Sequence, residues 1–326
     1  LERNNSAAMP TSVETWAQQI RAGEVRAISR AITAIENHDP VADELLKILF
    51  YSTGQAAIIG ITGAPGTGKS TLVDRLAGAY RRAGKTVGII AVDPTSPFTG
   101  GAILGDRIRM QGHASDAGIF IRSMATRGFL GGLARATADV SLLLDAAGKQ
   151  IILIETVGVG QDEVDIVRLA DCTLVLLVPG LGDDVQNMKA GLMEIGHVFV
   201  INKSDREGAD RLEQQVHAML ELAHESDGWR PAVARTIATD TKGIENLIAE
   251  IDKFLARAKS SPEFYSREAD HWSRRLVEML ESRLIEKLLG TQEGKDRLNT
   301  LATEVAQRKK DPYAALAEIL KSGGSH

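Results

Sequence analysis

Residues 63–71 read Gly-Ala-Pro-Gly-Thr-Gly-Lys-Ser-Thr, and no other stretch limits the possible folds of this chain as tightly. The pattern Gly-x-x-x-x-Gly-Lys-Ser holds phosphate only where a β-strand ends and a helix begins. Both flanks comply. The apolar run 57–62 precedes it, and Leu72, Leu76 and Tyr80 follow at helical spacing. Glycines let the backbone of Gly63, Ala64, Pro65, Gly66, Thr67 and Gly68 approach a phosphate chain closely, with its N–H groups turned inward. The helix that opens at Lys69, Ser70 and Thr71 adds a favourable dipole. Lys69 is placed to reach the terminal phosphates and the Ser70 hydroxyl to bind Mg²⁺.

The remaining pattern agrees with that placement. Short apolar, mostly β-branched runs lie at 57–62, 86–92, 151–155, 173–178, 198–201 and 234–237, separated by helical stretches. Such runs, too short for buried helices, read as strands of a parallel sheet covered on both faces. The expected fold class is therefore α/β, a P-loop NTPase with a mostly parallel sheet and helical extensions at both ends. Helical periodicity fills residues 1–55, the sheet domain spans 56–260, and a helical arm occupies 261–326. In the arm Trp272, Leu276, Leu280, Leu284 and Leu288 recur every fourth residue, and Asp311-Pro312 marks a further helix start.

Composition excludes several function classes. The 326 residues carry a net charge of −5, which argues against a nucleic-acid partner. No apolar run approaches the roughly 18 residues of a membrane span, so no membrane partner is expected. Cys172 is the single cysteine, which rules out an intrachain disulfide and a cysteine-built metal cage and fits a reducing, cytoplasmic setting. Met9 reads as a natural start, and residues 1–8 carry no weight in the reading.

In parallel α/β sheets ligands bind at the carboxyl ends of the strands, and the informative residues sit there. The run 198–201 ends in Asn202-Lys203-Ser204-Asp205, the guanine-reading pattern of GTPases. The Asp205 carboxylate can accept from both the ring N–H and the exocyclic amine of guanine. Adenine offers no such pair, and a buried group left unmatched discriminates strongly. Lys203 is expected over the base and Asn202 in bonds to neighbouring backbone, while amides of Ala238 and Thr239 can meet the guanine keto oxygen. The nucleotides are thus GTP and GDP.

Two more strand ends carry acids, Asp93 and Glu155, and the glycine-rich segment 99–107 contains a third, Asp106. Any of the three can hold Mg²⁺, directly or through water. Gly158 can bring a backbone amide to the γ-phosphate. Gln161 and Lys189 are candidates for orienting water or neutralising transition-state charge, with solvated or structural roles as the alternative. His113 is equally open to a packing role.

Taken together these residues resemble the MeaB/ArgK family of P-loop GTPases in the SIMIBI class, to which the methylmalonic aciduria type A protein belongs. The resemblance covers roughly residues 12–320. It rests on 63–71, Ala-Val-Asp-Pro-Thr-Ser at 91–96, Gly-Gly-Ala-Ile-Leu-Gly-Asp-Arg at 100–107, Phe-Ile-Arg-Ser-Met-Ala-Thr-Arg-Gly at 120–128, Gly-Gly-Leu-Ala-Arg-Ala-Thr at 131–137, Glu-Thr-Val-Gly-Val-Gly-Gln at 155–161 and Asn-Lys-Ser-Asp at 202–205. It implies a homodimeric GTPase, slow without its partner, that assists cofactor loading and protection of an adenosylcobalamin-dependent methylmalonyl-CoA or related acyl-CoA mutase. It also implies that Lys69, Ser70, Asp93, Asp106, Glu155 and Asp205 match the family's phosphate, metal and base residues. Residues 180–189 match a loop that responds to the mutase and supports its GTPase activation, and the C-terminal helices match a dimerisation arm. The guanine loop departs from many GTPases, reading Ala238-Thr239-Asp240 in place of Ser-Ala. Alternative functions are a metallochaperone-type GTPase, which lacks the expected cluster of soft ligands here, and a transport-linked kinase, which fits poorly with Asn-Lys-Ser-Asp.

Overall fold

The computed structural model describes residues 12–93, 116–125, 132–156, 169–180, 196–222, 229–261 and 264–322. Within the first compact unit, which ends at Ser261, seven strands form one sheet. They are β1 (Ala57–Gly63), β2 (Val87–Asp93), β3 (Ile119–Ala125), β4 (Ile151–Glu155), β5 (Cys172–Leu177), β6 (Val198–Asn202) and β7 (Ala232–Thr236). Their spatial order is β3-β2-β4-β1-β5-β6-β7, and every pairing is parallel. The central β1 lies between β4 and β5, so the chain leaves it first toward one edge and later toward the other. A crevice at the carboxyl end of β1 follows from that reversal.

Burial on both faces explains why these runs read as continuous apolar segments. Along β4, Ile152 and Ile154 face one hydrophobic cluster while Ile151 and Leu153 face another, as the two-residue strand period requires. The first face is covered by α1 (Val13–Arg21), α2 (Val25–Glu36) and α3 (Pro40–Leu49), together with α5 (Gly132–Ala146). The opposite face packs on α4 (Lys69–Arg82) and α7 (Ile244–Ser260). Val175, Leu177, Phe199 and Ile201 form a third cluster with α6 (Ala209–Leu222). The N-terminal helices therefore share a core with β2 and β4. Their ends carry the local signals for helix starts. The Ser12 side chain accepts from Thr15 N, and Asp39 caps α3 ahead of Pro40.

The structure adds one strand to the runs read from sequence. β3 falls on 119–125, where Arg122 and Ser123 interrupt the apolar pattern. Among the described residues it sits at a sheet edge beside β2, and Arg122 pairs with Glu36 of α2. An edge strand needs less apolar surface, so its sequence is mixed. β7 begins two residues earlier than the run 234–237, at Ala232.

The second unit, from Pro262, holds α8 (Phe264–Leu289), α9 (Gln292–Ala306) and α10 (Pro312–Ser322), which pack against one another. The Asp311 carboxylate caps α10 by accepting from Tyr313 N and Ala314 N. On α8 much of the stripe read from sequence is exposed: Leu276, Leu280 and Leu284 face solvent, as do the flanking Val277 and Ile285. No helix of the described residues is long and apolar enough to cross a membrane.

Candidate nucleotide-binding site

The loop after β1 is closed by contacts only glycine allows. Gly63 has φ +146°, and a Cβ there would lie 2.5 Å from the Leu176 carbonyl oxygen. Gly68 has φ +94°, and a Cβ there would lie 2.6 Å from Asn202 Nδ2. Both contacts are with neighbouring strand ends, so the loop is pressed against β5 and β6.

Side chains then take up the loop's carbonyl oxygens. Lys69 Nζ donates to Gly63 O at 2.7 Å and Ala64 O at 3.2 Å. The Thr67 hydroxyl also donates to Ala64 O, at 2.8 Å. Lys203 Nζ donates to Gly66 O and Asn202 Nδ2 to Thr67 O, each at 2.8 Å. With its acceptors occupied by donors, the loop presents a positive balance made of backbone amides, the Lys69 ammonium and the start of α4. That electrostatic character suits a polyphosphate.

Beside the loop stand two hard oxygens. The Ser70 hydroxyl donates to Glu155 Oε1 at 2.6 Å, and Glu155 is buried at the end of β4. Register explains the meeting: Ile61 of β1 pairs with Glu155, and Ser70 lies in the first turn of the helix that follows. Ala91 of β2 also pairs with Glu155, so Asp93 ends its strand two residues further on. A hydroxyl and a carboxylate so close are donors fit for Mg²⁺. Among the described residues no group of three or more His, Cys, Asp or Glu forms a closed metal cage. Asp106, His113, Gly158, Gln161 and Lys189 lie outside the described residues.

The guanine-pattern residues form the other half of the site. Asn202 is buried and uses its whole side chain. Nδ2 reaches the loop after β1, while Oδ1 accepts from Thr236 Oγ1 at 3.1 Å and from Ala238 N at 3.2 Å. One amide thus joins three strand ends. Lys203 follows in the left-handed region at φ +55°, and its ammonium bridges to Gly66. Asp205 is exposed on the turn that ensues. Ala238 and Thr239 lie in a 3-10 turn, Ala238–Asp240. The Ala238 amide donates to Asn202, and the Thr239 amide follows it in the same turn.

Sequence reasoning missed Arg75. This residue of α4 donates from Nε to Ala238 O at 3.1 Å and from a terminal nitrogen to Thr239 O at 3.5 Å. No local pattern marks it, because its partners lie more than 160 positions away in the chain.

Residues 28–293 match the family model described as methylmalonyl Co-A mutase-associated GTPase MeaB. The chain belongs to the MeaB family. A relative from Pyrococcus abyssi, whose name reaches no further than GTPase, is 48% identical over 317 residues, covering 95% of this chain and 96% of its own. The mitochondrial methylmalonic aciduria type A homolog of Caenorhabditis elegans is 31% identical over 278 residues, covering 79% of this chain and 70% of its own. Among solved structures, one titled LAO/AO transport system kinase superposes with a TM-score of 0.71 at 25% identity, over 97% of this chain and 99% of that one. The MeaB assignment makes the chain a P-loop GTPase with GTP and GDP as its nucleotides. The closed loop 63–71 and the Asn202 junction are the parts of the site that the described residues display in full.

Proposed function

We propose that this MeaB-family GTPase is a chaperone for an adenosylcobalamin-dependent acyl-CoA mutase, hydrolysing GTP slowly until the mutase engages it. The observation that carries the reading is the match of residues 28–293 to a family described by its association with methylmalonyl-CoA mutase. In this reading Lys69 and the amides of 63–71 bind the phosphates, and Asp205 with the Thr239 amide reads the base. Ser70 and Glu155 are the residues that would hold Mg²⁺, joined by Asp93 or Asp106. The ion, when bound, supplies charge neutralisation at the β- and γ-phosphates. Residues 1–55 and 261–326 flank the GTPase domain 56–260 as helical extensions, and the protein works in the cytoplasm as a homodimer.

The exposed stripe of α8 supports the dimer: Leu276 and Ile285 are each 60% exposed. Apolar patches of that kind mark interaction surfaces. Light scattering at micromolar concentration is expected to give twice the 35.1 kDa chain mass, and a monomer would reject this part of the reading. The kinase title of one structural relative suggests phosphoryl transfer to an acceptor, but the base pattern at 202–205 favours GTP hydrolysis. The partner assignment is tested by GTP turnover with and without a purified cognate acyl-CoA mutase. Acceleration by the mutase is expected. Equal rates would remove the mutase from the account and leave the GTPase.

A further inference from the structure

We propose that Arg75 is a positioning residue that sets how strongly the chain reads the keto oxygen of guanine. The inference rests on the guanine assignment of Asp205 and Thr239 and names a residue outside that pattern. It starts from the peptide joining Ala238 to Thr239. A trans peptide is planar, and its C=O and N–H point in opposite directions. Fixing one end therefore fixes the other. Arg75 Nε donates to the Ala238 carbonyl oxygen at 3.1 Å, and that oxygen also accepts from Thr241 N at 3.3 Å. The amide at the far end of the same peptide is that of Thr239, the one assigned above to the base.

The neighbouring peptide is held from the other side of the site. Its amide, Ala238 N, donates to Asn202 Oδ1 at 3.2 Å. Thr239 O lies 3.5 Å from the second guanidinium nitrogen, so the planar fork spans two successive carbonyls. Three consecutive peptide groups are thus gripped by Asn202 and Arg75. Asn202 also holds Thr67 O of the phosphate loop, and Arg75 rises from the helix that this loop opens. The base-reading amide and the phosphate loop become one body, with Arg75 as the second of two ties.

Charge adds to geometry. A guanidinium donating to a carbonyl polarises the whole amide and makes its N–H a better donor. Arg75 is suited to this because its fork matches two carbonyls at once, whereas a lysine meets one. Among the described residues its ion pair is with the adjacent Asp74, at 3.7 Å. The Arg75 side chain is 40% exposed there, and a surface pair of that length does little to hold it elsewhere.

The test uses the full chain, Arg75→Ala and Arg75→Lys, with GTP, 6-thio-GTP and ITP. 6-Thio-GTP weakens only the keto acceptor, and ITP lacks only the exocyclic amine that Asp205 reads. Arg75→Ala is expected to raise KM for GTP about tenfold, with the lysine variant in between. The preference for GTP over 6-thio-GTP should narrow severalfold while the preference for GTP over ITP holds. Thermal unfolding without nucleotide should stay close to wild type. Equal weakening of GTP and 6-thio-GTP, or a KM within twofold of wild type, would overturn the role of Arg75. A wild type that binds ATP as tightly as GTP would instead overturn the guanine assignment beneath it.

Discussion

The two ends of the sheet carry similar charged side chains and use them differently. At the carboxyl end Lys69, Lys203 and Arg75 donate to backbone carbonyls of loops, so their charge goes into shaping main chain. At the amino end the charges meet each other. Arg81 makes a two-pronged pair with Asp116, with both bonds at 2.9 Å, and this bond holds the guanidinium's proton more tightly than usual. Lys149 is buried nearby, donating to Gly118 O at 3.4 Å. Burial, then the neighbouring Arg81, pushes its pKa below the ordinary lysine value. The contrast teaches where binding and stability reside. Cations spent on carbonyls leave a loop ready for anions, whereas a cation paired with a carboxylate fastens an edge strand to α4.

Substitutions at each end can break that division. Asn202→Ala should have the largest effect on both properties. It orphans Thr67 O, Thr236 Oγ1 and Ala238 N in a buried junction, a loss of about 2–3 kcal/mol in unfolding free energy. Affinity for GTP, followed by titration calorimetry, should fall at least about tenfold, since both loops lose their tie. Retention of wild-type affinity would show that the junction is structural only.

Arg81→Ala should cost about 1 kcal/mol or less, because both partners are a quarter or more exposed. GTP affinity should stay within twofold of wild type. A tenfold loss of affinity would couple the two ends and dissolve the contrast.

Lys149→Met should have the smallest effect and the opposite sign. A base whose folded pKa is lowered destabilises the fold at any pH where the folded form must carry the charge. Stability then rises with pH between the lowered value and the ordinary 10.5. Methionine keeps the apolar stem and removes the charge, so Tm at neutral pH should rise slightly. That gain should shrink as the pH approaches 10.5. A gain that grows with pH would refute the assignment of burial as the cause.

Most of this architecture was legible because a sheet buried on both faces writes itself as unbroken apolar runs. β4 was visible in full, with Ile151, Ile152, Leu153 and Ile154 each buried. β3 was hidden because an edge strand with Arg122 in it breaks the run. α9 was hidden for a related reason. It opens on Gln-Glu-Gly-Lys-Asp-Arg with a Thr291 cap, and Leu301 is its one buried residue. In the site, the phosphate loop and Asn202 were legible because their chemistry demands fixed residues at fixed spacing. Arg75 was not, since what it does depends on a turn from the far end of the sheet domain. The sequence names both Ala238 and Thr239 as amides for the base, and the bond that ties Ala238 N to Asn202 is not written in it.

The central claim is that the carboxyl end of the sheet reads guanine through Asp205, and exchanging the partner groups tests it most directly. Asp205→Asn replaces an acceptor by an amide that can donate to a keto group. Wild type should prefer GTP to xanthosine triphosphate, and the variant should reverse that preference in competition titration. A variant that loses GTP without gaining xanthosine triphosphate, or a wild type indifferent to the two bases, would contradict the account.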